Sequence, residues 1–349
     1  MILEFLKDNF VRSRNSADDS GRIEFIDLAK GVCILLIVFF HSDVMTEVPS
    51  LRALRMPLYF VLAGLFFKDY GGFARFLLRK INRLVVPLCF FVFLGFIPVV
   101  LTGSESLWNV FLMPFVEPHI VNYPVWFLAG LFWVNVLYFT INNYFKSLIG
   151  KAVAVVVFGV AGAVMSYNHV YLPLFFGTGF NAMPFFFIGI LMRKLPLLYH
   201  TRRDGLYLVA GLTGMAAALG YCVYYGTPFI EFKTNLHYGN ILEIYVISVL
   251  MVVGLLLVCK AVRWLPVVSY FGRYSVIVLG LHAMYIVYVP KLGRRCFGYS
   301  MSAVEIFVLA LLLSWVSIPL FRKYFPKFTA QDELIKPRTS RPAPEESEN

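Results

Sequence analysis

The chain has 349 residues, of which 59% are hydrophobic and only 15% are charged. This composition, with a mean hydropathy of +0.74, excludes an ordinary soluble globular domain. The formal net charge of +11 is spread over short segments between apolar runs, which argues against a nucleic-acid partner and indicates a multi-pass membrane protein.

The first apolar run, at about residues 25–44, contains Asp27, Lys30 and His41. Charged side chains are costly inside a membrane, so they indicate function. At about 100° per residue, Lys30 and His41 return to within roughly 20° of one helical face, and Asp27 shares that face. Lys30 and His41 are roughly 16 Å apart along the helix axis, which is about half the thickness of the hydrocarbon core. The pattern predicts a polar stripe across much of the bilayer.

Apolar runs of suitable length predict an all-α polytopic membrane protein with about ten transmembrane helices. They lie at about residues 25–44, 54–68, 84–102, 125–142, 152–167, 174–192, 205–225, 240–259, 267–289 and 304–321. An even number puts both termini on one side. Lys and Arg are concentrated on that side, so the positive-inside rule predicts cytoplasmic termini and places His41 towards the outer half of the membrane.

Three regions follow: a cytoplasmic N-terminal segment (1–21), a transmembrane domain (22–321) and a cytoplasmic tail (322–349) expected to be disordered from about Lys327. The N-terminal segment has no apolar run long enough for a cleavable signal peptide, so we expect the first span to act as the insertion signal.

The basic sequence of residues 73–83 predicts a short helix along the inner membrane surface, beside anionic lipid. Residues 103–123 predict a long outer loop. The five cysteines are singly placed, which predicts packing residues without a disulfide or metal site.

His41 is the leading candidate for a general base, because a neutral imidazole can take a proton from a hydroxyl group. The alternative is a histidine that bonds a neighbouring helix for packing. Lys30 either attracts the phosphates of a cytosolic donor or pairs with Asp27, and the two roles are compatible. His282 is a second intramembrane imidazole and Glu243 an intramembrane carboxylate; for both, structural and functional roles stay open.

Several motifs resemble the acyltransferase-3 family of integral membrane O-acyltransferases. The first span of that family has a basic residue, an aspartate five positions on, an arginine or lysine and a later histidine, which correspond here to Arg22, Asp27, Lys30 and His41. RMPLYFVLAGLFF (55–67), PVWFLAGLF (124–132), AMPFFFIGILMRK (182–194) and FGRYSVIVLGLH (271–282) follow in the expected order, the last two resembling its fucose 4-O-acetylase-like branch. The resemblance covers about residues 22–321.

Two positions depart from the family pattern. Arg55 stands where a histidine commonly precedes the Met-Pro pair, and Ala63 stands where a serine usually precedes Gly64. If those residues touch substrate in relatives, the acceptor or its handling differs here. The spacing from the basic residue to His41 is intact.

The resemblance implies transfer of an acyl group, expected to be acetyl, from cytosolic acyl-CoA to a hydroxyl of a cell-surface glycan or lipid-linked sugar. Acyl-CoA is expected as a donor substrate rather than as a bound cofactor. His41, Lys30 and Asp27 are then the candidate catalytic residues, with His41 either a general base or a transient acyl carrier. The candidate donor-binding residues are Arg22, Lys30, Arg75, Arg79 and Arg273, and the candidate acceptor or supporting residues are Arg55, Trp126, Glu243, Ser275 and His282.

A transporter or flippase for a glycan is the alternative, since buried charges also line transport pathways. It predicts paired halves with broken helices, and the sequence shows no clear repeat. A scaffold without chemistry is a further alternative. The expected location is a bacterial cytoplasmic (inner) membrane, with lipid, acyl-CoA and a glycan as partners.

Overall fold

In a computed structural model, residues 23–44, 51–102, 106–195 and 204–336 are described, and the protein is 77% helical. The helices are α1 (Glu24–His41), α2 (Arg52–Leu65), α3 (Phe73–Lys80), α4 (Val86–Thr102), α5 (Leu107–Val116), α6 (Trp126–Tyr144), α7 (Leu148–Tyr167), α8 (Phe176–Met192), α9 (Asp204–Tyr225), α10 (Ile241–Val262), α11 (Val268–Arg273), α12 (Ser275–Phe297) and α13 (Ala303–Tyr324). Strands β1 (Phe229–Glu231) and β2 (Leu236–Tyr238) form an antiparallel hairpin between α9 and α10.

Eight helices in the described part of the chain are long and apolar enough to cross a membrane. The all-α polytopic prediction is therefore confirmed, but its count of ten spans is not. The two predicted spans outside the eight are α1, which carries Glu24, Asp27 and Lys30, and α2, which has only 14 residues. Both pack at the centre of the bundle, where neighbouring helices rather than lipid surround their polar groups.

The basic stretch 73–83 differs from its prediction as a separate surface helix. A π-helical segment, Ile81–Val85, joins α3 to α4, so that Phe73–Val100 forms one continuous helix of 28 residues. At about 1.5 Å per residue, the length of this helix exceeds the thickness of a hydrocarbon core, which is about 30 Å. The predicted outer loop also differs, since it contains α5, whose Trp108 and Phe111 are exposed.

Two ends of the bundle can be defined by the side chains that meet there. At the histidine end, the C-terminus of α1 meets the N-termini of α2 and α6 and the β-hairpin. At the basic end, the C-termini of α2, α6 and α8 meet the N-terminus of α7, and the lining includes Lys68, Lys146, Lys151, Arg193 and Lys194. The predicted orientation places these cations on the cytoplasmic side.

Glycines allow the central helices to cross at close range. A Cβ atom at Gly272 of α11 would overlap the carbonyl oxygen of Asp27, and one at Gly31 of α1 would overlap that of Val268. Small residues at helix crossings in membranes let backbones approach closely. These contacts hold α11 against the charged part of α1.

We expect Gly272→Ala to destabilise the protein by about 1–3 kcal/mol, because neither backbone can move away without disturbing the packed core. The matched control is Gly220→Ala in α9, where an added Cβ meets nothing within 4 Å and alanine is the better helix former. Thermal unfolding of the detergent-solubilised protein measures both. Equal melting temperatures for the two variants would contradict the close approach of α1 and α11.

The C-terminal segment, predicted to be disordered from about Lys327, contacts the bundle through residues before Lys336. Asn82, which is buried, donates to the carbonyl of Ile335 at 2.8 Å and accepts from the backbone N–H groups of Leu334 and Ile335 at 3.1 and 2.9 Å. Arg79 pairs with Glu333. Composition alone cannot show that one buried amide, that of Asn82, bonds the backbone of this segment. Residues 337–349 lie outside the described part.

Candidate active site

Two histidines from different helices meet at the histidine end of the bundle. His41 ends α1, and His282 lies two turns into α12. Their Nδ1 and Nε2 atoms are 2.9 Å apart, and the ring planes differ by only 8°. His282 is fully buried, and its Nδ1 lies 2.8 Å from the carbonyl oxygen of Val278. The structure therefore joins the two intramembrane imidazoles that the sequence had left as separate candidates.

The hydrogen bonds determine which nitrogen of each neutral ring carries a proton. The Val278 carbonyl can only accept, so Nδ1 of His282 donates to it and Nε2 of His282 is left as an acceptor. Nδ1 of His41 must then donate to that acceptor. The remaining nitrogen of His41, Nε2, consequently has a lone pair. This is the arrangement that a general base needs, with one ring held in place by a second.

His41 lines a cavity of about 130 Å³ between α1, α2, the start of α6 and the hairpin. Arg55 and Trp126, both predicted as acceptor-side residues, line the same cavity. The ring of Tyr123 contacts His41 edge-on, with centroids 4.9 Å apart. The cavity has both apolar and charged walls, so it can enclose a small polar group beside the imidazole.

The β-hairpin forms one wall of this cavity and is anchored to the bundle through side chains of α8. Thr178 donates to the carbonyl of Phe232 at 2.8 Å, and Asn181 lies 2.9 Å from Nε2 of His237. Phe232 is buried against Phe60 and Phe185 of the central helices. Burial lowers the pKa of His237, which favours the neutral ring in this network. The hairpin is thereby held in one position beside the cavity.

Asn181→Leu is expected to release the hairpin, because it removes two side-chain partners and leaves the buried amide of Asn235 without its contact. Each buried polar group left unsatisfied costs about 1–3 kcal/mol. Limited proteolysis at the hairpin should become at least several times faster. Thr140→Val, which removes an exposed intrahelical hydrogen bond in α6, should leave the cleavage rate unchanged. An unaltered rate in Asn181→Leu would contradict the anchoring.

Asp27 and Lys30 lie towards the other end of α1. The Asp27 carboxylate is buried and lies 3.9 Å from Nε of Arg273, at the end of α11. Tyr59 of α2 donates to the backbone carbonyl of Lys30 at 3.2 Å. The structure thus places Arg273 beside Asp27, three residues before Lys30 on α1. These three residues form a polar group near the start of α1, and the spacing along α1 alone could not show that it includes Arg273.

Four other predicted site residues lie elsewhere or outside the described part. Glu243 is exposed in the first turn of α10, where it bonds Tyr221, and it does not line the cavity beside His41. Arg75 is exposed and donates to the carbonyl of Gly71, while Arg79 pairs with Glu333. Neither arginine lines that cavity. Arg22 lies outside the described residues.

Sequence reasoning missed four residues around the imidazole: Tyr123, Arg52, Glu231 and Lys233. Arg52 and Lys233 lie between predicted spans, on the side of the membrane opposite the termini. Their local sequence carries no signal that the hairpin folds back over α1 and α2. Burial lowers the pKa of Lys233, and Glu231 opposes that shift.

A family model described as an acyltransferase domain, acyltransferase 3, matches residues 23–319. The chain belongs to the acyltransferase-3 family. The match includes His41, His282 and every residue that lines the cavity between them and the hairpin. Comparisons with curated proteins and with solved structures found no match.

Family membership indicates that the protein is a membrane acyltransferase. The fucose 4-O-acetylase-like branch, the acyl donor and the acceptor stay predictions. In the described part of the chain, no three His, Cys, Asp or Glu side chains are grouped as metal ligands.

Proposed function

We propose that this acyltransferase moves an acetyl group from cytosolic acetyl-CoA to a hydroxyl of a cell-surface glycan or lipid-linked sugar, with His41 as the general base. The observation that carries the proposal is the hydrogen bond between His41 and His282 at the wall of a polar cavity. It leaves Nε2 of His41 with a lone pair where an acceptor hydroxyl can enter.

The polar group near the start of α1 supports the donor side of the proposal. Lys30 and Arg273 bring two cations to the same end of the central helices, beside the N-terminus of α12 at Ser275. Helix N-termini and cations favour phosphate groups. At about 1.5 Å per residue, Lys30 and His41 are roughly 16 Å apart along α1. We infer that Lys30 and Arg273 attract the phosphates of acetyl-CoA while its thioester extends towards His41.

The proposed reaction joins the acceptor oxygen to the acyl carbon and breaks the carbon–sulfur bond of the thioester. Nε2 of His41 takes the hydroxyl proton as the oxygen attacks, and returns a proton to the departing thiolate of CoA. His282 acts as a positioning residue, because its hydrogen bond fixes the orientation of the His41 ring. Asp27 has a similar role for Arg273, through the ion pair between them.

The proposed setting is a bacterial cytoplasmic membrane, with the basic end of the bundle in the cytoplasm. The positive charge at that end supports this orientation. Donor and acceptor would then approach from opposite sides, the donor along α1 and the acceptor at the hairpin. The hairpin and Trp126 would contact the acceptor.

The test measures label transfer from radiolabelled acetyl-CoA into membrane glycans, in membranes with and without the protein. Label that enters glycans only with the protein supports the proposal. An alternative acyl-CoA series, from acetyl to longer chains, tests the acyl group in the same assay. If no acyl-CoA labels any glycan or lipid-linked sugar, the proposed donor or acceptor class is wrong, although the acyltransferase family stands.

Lys30→Met is expected to raise the KM for acetyl-CoA by about 10- to 100-fold, since a charge-assisted hydrogen bond contributes about 1.5–3 kcal/mol. The kcat should change much less, because Lys30 is remote from the reacting atoms. The matched control is Lys291→Met, which removes an exposed cation from the far part of α12. A KM that stays at the wild-type value in Lys30→Met would remove Lys30 from the donor site.

A further inference from the structure

The cavity beside His41 has an excess of positive charge on its walls. Among the described residues that line it, the cations are Arg52, Arg55 and Lys233, and the one carboxylate is Glu231. All three cations lie at the histidine end, and neither Lys30 nor Arg273 lines this cavity. They are therefore separate from the cations assigned above to the donor.

Arg55 is the most informative of these cations. Only 8% of its surface is exposed, and its guanidinium lies over the ring of Phe40 at 3.9 Å. Its Nε atom has no hydrogen-bond partner among the described residues. A buried guanidinium that retains unsatisfied donors is costly unless an anion or a polar ligand completes it. Arg55 lines the cavity wall, so a ligand in the cavity can approach its guanidinium group.

Arg52 and Lys233 are held beside Arg55 by the surrounding structure. The guanidinium of Arg52 lies between the rings of Phe40 and Phe229, at 5.1 and 5.0 Å from their centroids. Lys233 follows Phe232, which is buried and anchored through its carbonyl to Thr178. Both cations are partly buried at the cavity rather than fully exposed to solvent.

The cations affect which acceptor charge suits proton transfer to His41. A proton on His41 adds a positive charge beside Arg55 and Lys233, and this repulsion opposes proton transfer from a neutral acceptor. An acceptor that brings a negative charge offsets the cations during that step. The same negative charge compensates the buried positive charge of Arg55.

We propose that the acceptor bears an anionic group, a carboxylate or a phosphate ester close to the hydroxyl that is acylated. Arg55 and Lys233 bind this group, Arg52 supports it, and Glu231 limits how many negative charges the cavity accepts. This inference rests on the proposed function, since it names the acceptor class for the same site. It predicts acidic or phosphorylated sugars over neutral ones.

The experiment measures equilibrium binding to the full chain in nanodiscs of zwitterionic lipid, with no acyl donor present. The probes are two matched pairs: methyl glucuronide with methyl glucoside, and glucose 1-phosphate with glucose. We expect at least one anionic probe to bind about tenfold or more tightly than its neutral partner. Its affinity should fall by at least about tenfold in both Lys233→Gln and Arg55→Gln.

Lys291→Gln serves as the control, because it removes a cation that does not line the cavity. Arg55→Lys, which keeps the charge, should recover part of the affinity if Arg55→Gln folds poorly. Equal affinity within both pairs, no detectable binding of any probe, or a preference that survives Lys233→Gln would overturn the inference. Displacement of the anionic probe by CoA alone would assign these cations to the donor and overturn it as well.

Because no donor takes part, this result is independent of the acyl-transfer assay. An anionic preference in a protein that transfers no label from acyl-CoA would leave the acceptor class intact and reject the proposed donor. Active transfer to glycans without any preference for anionic probes would reject only the anionic acceptor.

Discussion

His41→Gln is expected to lower kcat for acyl transfer by about 10²–10⁴-fold, the usual contribution of a general base. Glutamine has a comparable size and can still bond His282, but it cannot take a proton from a hydroxyl. The KM for acetyl-CoA should stay within a few-fold of wild type, because the donor phosphates are assigned to the other end of α1. Steady-state kinetics at equal membrane abundance measure both constants.

The control for this variant is His119→Gln, which changes a histidine that does not line the cavity. Its kcat should match that of the wild type. A His41→Gln enzyme with unchanged kcat would show that His41 is a packing histidine, which was the alternative open from the sequence. A rise in KM with unchanged kcat would instead make it a binding residue.

His282→Leu is the second large effect that we expect, with a loss of about 10²-fold or more in kcat. Leucine cannot accept the hydrogen bond from Nδ1 of His41, so the base loses the contact that fixes its ring and its tautomer. In the serine protease triad, a residue that only orients the catalytic histidine has effects of this order or larger.

His282→Gln separates positioning from packing. A glutamine oxygen can occupy nearly the place of Nε2 in His282 and accept from His41, so it should recover much of the activity that leucine loses. Thermal unfolding of both variants checks that the core survives. Equal loss of activity in the leucine and glutamine variants would contradict a role that depends on the accepted hydrogen bond.

The sequence predicted the membrane class and the polar stripe on α1 because both follow from composition and helical periodicity. His41, Lys30 and Asp27 lie on one helix, so a repeat of about 3.6 residues was enough to relate them. The ordered motifs also predicted the family that the later comparison confirmed.

The partners of those residues could not be predicted from the sequence. His282 is 241 positions from His41, and only the packing of α12 against α1 brings the two rings together. Arg273 reaches Asp27 because Gly272 permits α11 to approach α1 closely. Such pairs depend on tertiary packing, which no local pattern encodes.

The number of long apolar helices and the contacts of the tail both depend on packing that composition does not show. α1 carries three charged residues and α2 has only 14 residues, so neither meets the length and composition expected of a lipid-facing span, and both are packed among other helices. The tail looked disordered by composition, but Asn82 fixes residues 334–335 through three hydrogen bonds. One well-placed buried amide outweighs the average character of the segment.

The most direct test of the central claim is a single-turnover experiment with radiolabelled acetyl-CoA and excess protein, quenched in denaturant with and without acceptor. It follows label on CoA, protein and acceptor. We predict that wild type moves label directly to the acceptor, that no label stays on the protein without acceptor, and that His41→Gln transfers at least about 100-fold more slowly. Label bound to His41 without acceptor would make it an acyl carrier, and wild-type transfer by His41→Gln would contradict any role of this histidine in catalysis.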